Sequence, residues 1–552
     1  MNERMYLFMT CVVALCAFVC TPERIAGGAG EETTNGRICG TVTDSLVQPV
    51  KGAAVMLFKN QYDPVRDVTT IRTVTTDRAG RYDFSGIDSG SYNIVSFAND
   101  RSLGAMTSHF AVYNDTTQID TMKLIRTGSL RVNLPSNADS STGYVYIPGT
   151  GMYARATDNT GFVQIDSVPA GYLPSVVYKA SKTSTASVIR FDIPVTPGQM
   201  SDVNNPDWLY ARRIGLNTTS TGADVVGNVM NFPILIRLTE ENFKFEHARQ
   251  SGEDIMFTKK DNTPLPYEIE RWDAAAQTAE IWVKMDTVHG NNDNQYIVMY
   301  WGNALVQSVS SGGAVFDTGS GFQGVWHLCE NSNSLAKDAT INHFDGTPSD
   351  TAPLQVHGVI GNALQFNGIS NGLVMKNTAN SRLNFPRPDT YTFSAWVSVD
   401  SVLEEDEFIA GKGQNQYALR VKGSKSIPAN MFALHEYYDD PGAYVMNMRY
   451  DSIVMRQWKY ITGIRTADKS YLFIDGKCVD STGIVLSVSM ADLNRTDFSI
   501  GRCAVPYNED NYLSFKGMID EVRIASVAFS ADWVKLSFMN QKPMDMLLQF
   551  GK

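Results

Sequence analysis

Residues 391–399 read YTFSAWVSV, which places Tyr391, Phe393, Ala395, Val397 and Val399 on one side and Thr392, Ser394, Trp396 and Ser398 on the other. Strict alternation is the mark of a β-strand with one face in a core, as in a sandwich of two sheets. Outward from this stretch, the chain from Arg37 onward repeats the pattern as short alternating runs separated by Gly, Asn, Asp and Ser. Few segments carry apolar residues at helical spacing, so the predicted fold class is all-β. Near the front, Thr76-Asp77, Gly80, Phe84, Ile87 and Gly90 recur as Thr157-Asp158, Gly161, Ile165, Val168 and Gly171, at a constant offset of 81 residues. The chain is therefore expected to open with two similar sandwiches. In each, a Thr-Asp-x-x-Gly turn precedes a strand, because Asp bonds its own turn backbone and Gly takes positive φ.

With 552 residues, the length corresponds to about three to five folded units. Lys and Arg number 47 against 58 Asp and Glu, a formal charge of −11, and no basic cluster interrupts the acidic background. Nucleic acid is thereby excluded as an expected partner. Arg4 precedes an apolar run from Met5 to Val19, followed by polar Thr21-Pro22-Glu23-Arg24 and small Ala26, Gly27 and Gly28. This layout predicts a signal peptide over residues 1–28 and a secreted, periplasmic or outer-surface destination. The apolar run is shorter than the roughly 20 residues that span a bilayer, and no later segment is apolar enough to do so. Cys20 invites lipidation, but Val19 stands where that motif takes Gly, Ala or Ser. Beyond the leader only Cys39, Cys329, Cys478 and Cys503 remain, too few for a disulfide framework. A single bridge between Cys478 and Cys503 is one expectation, and buried free thiols are the other.

Four blocks carry family resemblances. GRICGTVTDSLVQPVKGAAVMLF with TVTTDRAGRYDFSGIDSGSYNIVS, residues 37–125, resembles the carboxypeptidase regulatory-like family of transthyretin-type sandwiches. Residues 127–200 match the same pattern more loosely. Residues 205–314, through WLYARRIGL, NFPILIRL, EDIMFTKKDNTPLPYEIERWD, AEIWVKM and YIVMYWGN, resemble the domain of unknown function 2341. That resemblance implies only a β-rich extracellular module. Residues 315–552 resemble the laminin-G-like jelly roll of the concanavalin A-like class, through GFQGVWHLCE, KDATINHFDGT, GNALQFNG, YTFSAWVSV, WKYITGIRT, YLFIDGK, FSIGR, FKGMIDEVRI and ADWVKLSF. The expected architecture is thus tandem transthyretin- or immunoglobulin-like sandwiches, a β-rich module and a C-terminal jelly roll, with Ser530 capping a short helix that carries Trp533 and Leu536.

Candidate chemistry is sparse. His327 and Glu330 form an H-x-x-E pair, but residues three apart on a strand point to opposite faces, and nothing places His435 as a third ligand for a peptidase metal. Glu268, Glu270 and Asp273 in YEIERWD faintly resemble a glycosidase strand, where two carboxylates share a face. They lie outside the jelly roll in a different order, and a solvated strand edge is the stronger reading. Calcium is expected at Asp338, Asn342 and Asp345, a loop of oxygen ligands. Asp520 is grouped with them, because a carboxylate among Met518, Val522 and Ile524 requires a metal or a hydrogen-bond partner. The alternative is that these residues bond backbone groups of the two loops. For a ligand, Trp396 projects from the polar side of its strand, and His435, Tyr437, Tyr438 and Tyr444 cluster nearby in sequence, aromatic faces that suit sugar rings. The expected function is non-catalytic binding or adhesion, with a glycan or a cell-surface protein as partner through the jelly roll. A structural envelope protein with protein partners only and a polysaccharide-degrading enzyme are the alternatives.

Overall fold

The computed structural model describes residues 36–550 apart from 68–70, 114, 135–137, 157–160, 204–207, 332–333, 377, 379–380, 387–388, 414–415, 438–443, 449–452, 484–495 and 507–511. The predicted leader, with Cys20, lies outside the described residues. From Gly36 onward the fold is all-β, in packed pairs of sheets with no barrel.

The first sandwich sets a sheet built on Gly36–Thr43 and Arg81–Ile87 against one running Arg72–Thr75, Ala54–Lys59, Gly90–Phe97, Leu103–Val112 and Ile125–Arg126. The second repeats the plan. Phe162–Val168 lies 81 residues after Arg81–Ile87 and buries the same alternate positions. The leading strands Gly36–Thr43 and Gly128–Asn133 each pair antiparallel on one side and parallel on the other, the first with both Thr116–Gln118 and Met122–Lys123, and both bulge just after the opening glycine. The Asp turn forms as expected: Asp77 Oδ1 accepts from the amides of Ala79 and Arg81, and Gly80 takes φ +70°. The two sandwiches are fused, because Phe58, Tyr62, Val95 and Phe97 of the first share a core with Leu130, Val145, Ile165 and Val176 of the second. Asp63, buried at the seam, accepts from Tyr144 Oη at 2.8 Å and pairs with Lys179 Nζ at 3.3 Å.

The third module packs a sheet of Pro264–Leu265, Ile255–Thr258, Gln295–Trp301, Tyr210–Leu216 and Leu548–Phe550 against Val229–Thr239, Thr278–Val288 and Tyr267–Asp273. Its last strand comes from the C-terminal end, since Leu548–Phe550 pairs with Ile214–Leu216. The helix Ala531–Gln541 also sits on this module. Ser530 caps it by accepting from the Trp533 amide, and Asn540 exchanges two hydrogen bonds with the Leu235 backbone. The segment after residue 530, read from sequence as jelly roll, thus packs on the module before it.

The jelly roll stacks an eight-stranded and a seven-stranded sheet around Tyr391, Phe393, Ala395, Val397, Leu419, Leu434, Ile500, Ile519, Val522 and Ile524. In the eight-stranded sheet Lys516–Ala525 lies between Tyr391–Val399 and Asn362–Asn367, with Phe322–Trp326 also paired to it. Ser394 faces Arg523 and Trp396 faces Asp520, so two residues, Glu521 and Val522, oppose Ala395. Glu521 takes φ +53° in this bulge, a conformation that costs a non-glycine residue free energy and clusters at special sites. The outward face of this sheet is covered: Trp396, Tyr460, Ile464 and Phe473 belong to the same core as Phe232, Trp282 and Trp533 of the third module and helix.

Candidate functional site

The structure corrects most of the expected site residues. Trp396 faces away from the jelly-roll core, as its position in the alternation implies, yet is only 2% exposed. Its indole packs at 5.2 Å from Tyr460 and 5.9 Å from Phe538, and Nε1 donates to Gln541 Oε1. A helix from the far end of the chain closes the surface that was to hold sugar. His435 is 3% exposed, and burial together with Arg420 and Lys422 holds its pKa well below the usual imidazole value. Tyr437 and Tyr444 stand opposite each other on adjacent strands, and Tyr438 lies outside the described residues.

The expected calcium ligands are engaged elsewhere. Asp338 accepts four hydrogen bonds, from the amides of Val325, Thr340 and Phe344 and from Thr340 Oγ1, all between 2.9 and 3.0 Å. That fills the lone-pair sites of a carboxylate. Asp345 accepts from the Asp338 amide and from Lys337, and Asn342 donates to the Gln323 carbonyl. Asp520 Oδ2 accepts from the amides of Val359 and Ile360. These residues build loops, the alternative weighed for them. Cys478 is exposed and Cys503 buried, and both are free thiols. Glu330 accepts from the Lys337 amide, Asp273 from that of Ala276, and His435 lies in the opposite sheet from the strand beside His327.

Two features set aside separately in the sequence meet in space. His327 follows the strand Phe322–Trp326, and Leu328 after it takes φ +60°, turning the chain. Its ring lands between Tyr267–Asp273 of the third module and the bulge of Lys516–Ala525. Nδ1 stands 2.6 Å from Glu521 Oε1 and 3.5 Å from Glu270 Oε2, while Nε2 stands 3.3 Å from Glu268 Oε2. Among the described residues, Glu270, His327 and Glu521 form the one group of three or more His, Cys, Asp or Glu whose ligand atoms lie within 4.8 Å of one another. Each has further support: Trp282 Nε1 donates to Glu270 Oε2 at 2.7 Å, and Arg523 donates to Glu521 Oε2. The Arg523 guanidinium lies 4.1 Å over the Trp282 ring, whose plane is nearly parallel to His327.

Burial and the neighbouring charges oppose each other here. It would lower the His327 pKa, but the carboxylates of Glu521, Glu270 and Glu268 outweigh it and hold the imidazole well above its ordinary value. Burial raises Glu270 and Asp520, with Glu521 adding to both. Glu521 is held below the ordinary range because His327 and Arg523 overcome its burial. Glu270 Oε1 and Asp520 Oδ1 are buried without a hydrogen-bond partner. No pattern-based reading joins these residues, since 194 positions separate His327 from Glu521.

A second feature is open to solvent. Where the two sandwiches meet the third module, a cleft of about 760 Å³ is lined by aromatic and hydrogen-bonding side chains from all three. Tyr210 lies between His247, stacked at 4.3 Å, and Trp301 at 5.6 Å, and these three rings edge the cleft with Tyr146 and Phe191. Asn60, Arg212, Asp293 and Asn294 supply donors and acceptors. Burial and Asp63 push the Tyr146 phenol up to about 12, so it stays a donor. Tyr296, under the Arg213 guanidinium at 3.7 Å, divides this cleft from a neighbouring one of about 680 Å³, where Tyr172 is 71% exposed. Beneath it, Phe191 of the second sandwich packs on Trp208, Tyr296 and Tyr300 of the third module.

No curated protein matches this chain. Among solved structures it resembles domain 4 of AbnA, an extracellular arabinanase from Geobacillus stearothermophilus solved with arabinotriose (19% identity, 39% of this chain and 97% of that one, TM-score 0.31). It also resembles a putative carbohydrate binding protein from Bacteroides ovatus (13% identity, 59% and 84%, TM-score 0.25). The botulinum neurotoxin serotype C1 binding domain is matched over about half its length (8% identity, 40% and 52%, TM-score 0.29). At such scores these likenesses are partial overlaps of β-architecture. Family matches are firmer: residues 37–120 match the carboxypeptidase regulatory-like domain, 251–352 the domain of unknown function DUF2341, and 375–535 the concanavalin A-like lectin/glucanases superfamily. The chain therefore carries a carboxypeptidase regulatory-like domain, a DUF2341 domain and a concanavalin A-like domain, in that order.

Proposed function

We propose that this protein is an exported, non-catalytic carbohydrate-binding protein whose glycan lies in the cleft between the fused sandwiches and the third module. The cleft carries the reading. Its volume falls within the roughly 300–1,000 Å³ typical of ligand sites, and its mix of ring faces and amide, guanidinium and carboxylate groups suits a molecule with apolar C–H faces and many hydroxyls. The concanavalin A-like match supports the same ligand class. The leader-like pattern at residues 1–28 supports export. Among the described residues no helix is long and apolar enough to cross a membrane. A non-catalytic role is supported by the place of the two carboxylates that faintly resemble a glycosidase strand: Glu268 and Glu270 face His327, and neither is among the residues that line the cleft.

A glycan array probed with the full chain tests the proposal, followed by titration of the best glycan against Tyr210→Ala. Removing the ring on which His247 and Trp301 stack takes away the support of the cleft's aromatic edge, and binding should weaken by up to about tenfold, the size of an aromatic contact, while the melting profile of the other modules stays in place. No glycan bound by the folded chain would sink the reading in favour of a protein partner. Binding untouched by Tyr210→Ala but lost with Tyr172→Ala would move the glycan to the neighbouring cleft.

A further inference from the structure

We propose that Glu270, His327 and Glu521 form a buried site for a divalent metal of the zinc type, clamping the DUF2341 domain onto the jelly roll. One imidazole nitrogen and two carboxylate oxygens converge from three separate segments, with their ligand atoms within 4.8 Å. Such a mixed N and O donor set suits a borderline cation such as zinc, whereas calcium takes oxygen alone. The 3.5 Å between His327 Nδ1 and Glu270 Oε2 is near the roughly 3.3 Å separating two tetrahedral ligands at zinc bond lengths. The Glu521 side, at 2.6 Å, is at hydrogen-bond distance and has to open by under about 1 Å for ligation.

Three further observations point to a cation. Glu268 sits on the far nitrogen of His327, the carboxylate–histidine arrangement that directs the other ring nitrogen at a metal. The remaining ligands are oriented likewise, Glu270 by Trp282 and Glu521 by Arg523. Second, Glu270 Oε1 is buried and has no hydrogen-bond partner, although the Glu270 side chain is wholly inaccessible. A buried carboxylate oxygen left unpaired is costly. Third, the carboxylates of Glu268, Glu270, Asp520 and Glu521 gather around this ring, while the nearby guanidiniums are Arg523 and, farther off, Arg237, Arg271 being paired with Glu280. With a neutral, ligating imidazole, a divalent ion balances what these two leave over. The module boundary runs through the group: Glu270 stands on Tyr267–Asp273 of the third module, while Glu521 lies on the jelly-roll strand Lys516–Ala525 and His327 follows the strand paired to it.

The full chain, incubated with zinc alone and freed of excess by dialysis, should retain roughly one zinc per chain by plasma mass spectrometry. Cobalt in its place should show the intense visible bands of a low-symmetry N and O site. His327→Gln and Glu521→Gln should abolish both signals, and chelation should lower the melting temperature of the unit formed by the third and fourth modules. Less than about a tenth of an equivalent retained by the native chain would overturn the proposal and leave a proton bridging His327 and Glu521. Full zinc content in the variants would overturn it too, placing the ion elsewhere. If those variants misfold, the native chain's metal content and cobalt spectrum, with the milder Glu270→Gln, still decide. None of these readouts depends on glycan binding.

Discussion

Asp338 and Glu270 both bury their carboxylates, and these are satisfied in opposite ways. Asp338 takes four hydrogen bonds, three from backbone amides of its own loop and of the strand Phe322–Trp326. Glu270 takes one, from Trp282, and leaves Oε1 bare. The first gives loops their shape, and a cation would have to displace donors to reach it. The second lacks partners of its own and is stable only through what lies between it and its neighbours. Richness in acidic residues is thus a poor guide to a metal site, whereas the ratio of lone pairs to donors is a good one.

The largest expected effect tests the filled side of that contrast. Asp338→Ala leaves three amides and a hydroxyl without their acceptor, a loss of about 4 kcal/mol on the scale of buried donors deprived of partners. Urea melts with and without chelator should show the same loss. A cost that appears only when metal is present would mean that Asp338 is a ligand after all, and one under about 1 kcal/mol in both conditions would mean that its four bonds do not hold the loop.

Asp545 stands between the extremes and offers the next effect. It accepts from the amides of Leu547 and Leu548 and from Asn540 Nδ2, holding the turn that returns the chain to the third module. Burial still raises its pKa to about 6. The folded state therefore holds this proton more tightly than the unfolded one, so the contribution is full below about pH 4 and is lost as pH rises through 6. Relative to Asp545→Asn, the native chain should lose roughly 2–3 kcal/mol between pH 4 and pH 7. A difference that is flat with pH, measured by urea midpoint, would place three donors on the same footing as four.

What was legible in the sequence was local. The alternation of Tyr391–Val399, the Asp77 turn, the 81-residue copy and the Ser530 cap rest on residues within a few positions of one another, and each has the form expected. The site was not legible, for two physical reasons. First, Trp396 does face away from its own core, but whether that face meets water depends on a helix more than 130 residues later. Second, a period of two puts Asp520 and Glu521 on opposite sides of their strand, whereas the bulge at Glu521 turns its carboxylate toward His327. The acidic strand of YEIERWD and the isolated His327 were each visible, and each alone had a bland explanation. Only the packing of two modules gives them a common purpose.

Glu270→Gln isolates that purpose with the smallest change in shape. The amide oxygen keeps the bond from Trp282, and the amide nitrogen replaces the bare Oε1. In chelated protein the bond from Trp282 is kept, the 3.5 Å contact with His327 loses its charge and one buried charge is removed, so the opposed effects should hold the change in stability to about 1 kcal/mol. In zinc-loaded protein the same change weakens a ligand, and zinc affinity should fall about 10- to 100-fold. The substitution thus reads near zero in one state and clearly negative in the other, where Asp338→Ala reads the same in both. If Glu270→Gln instead destabilises the chelated chain as strongly as the loaded one, Glu270 is a structural acceptor like Asp338 and the contrast between the two carboxylates collapses.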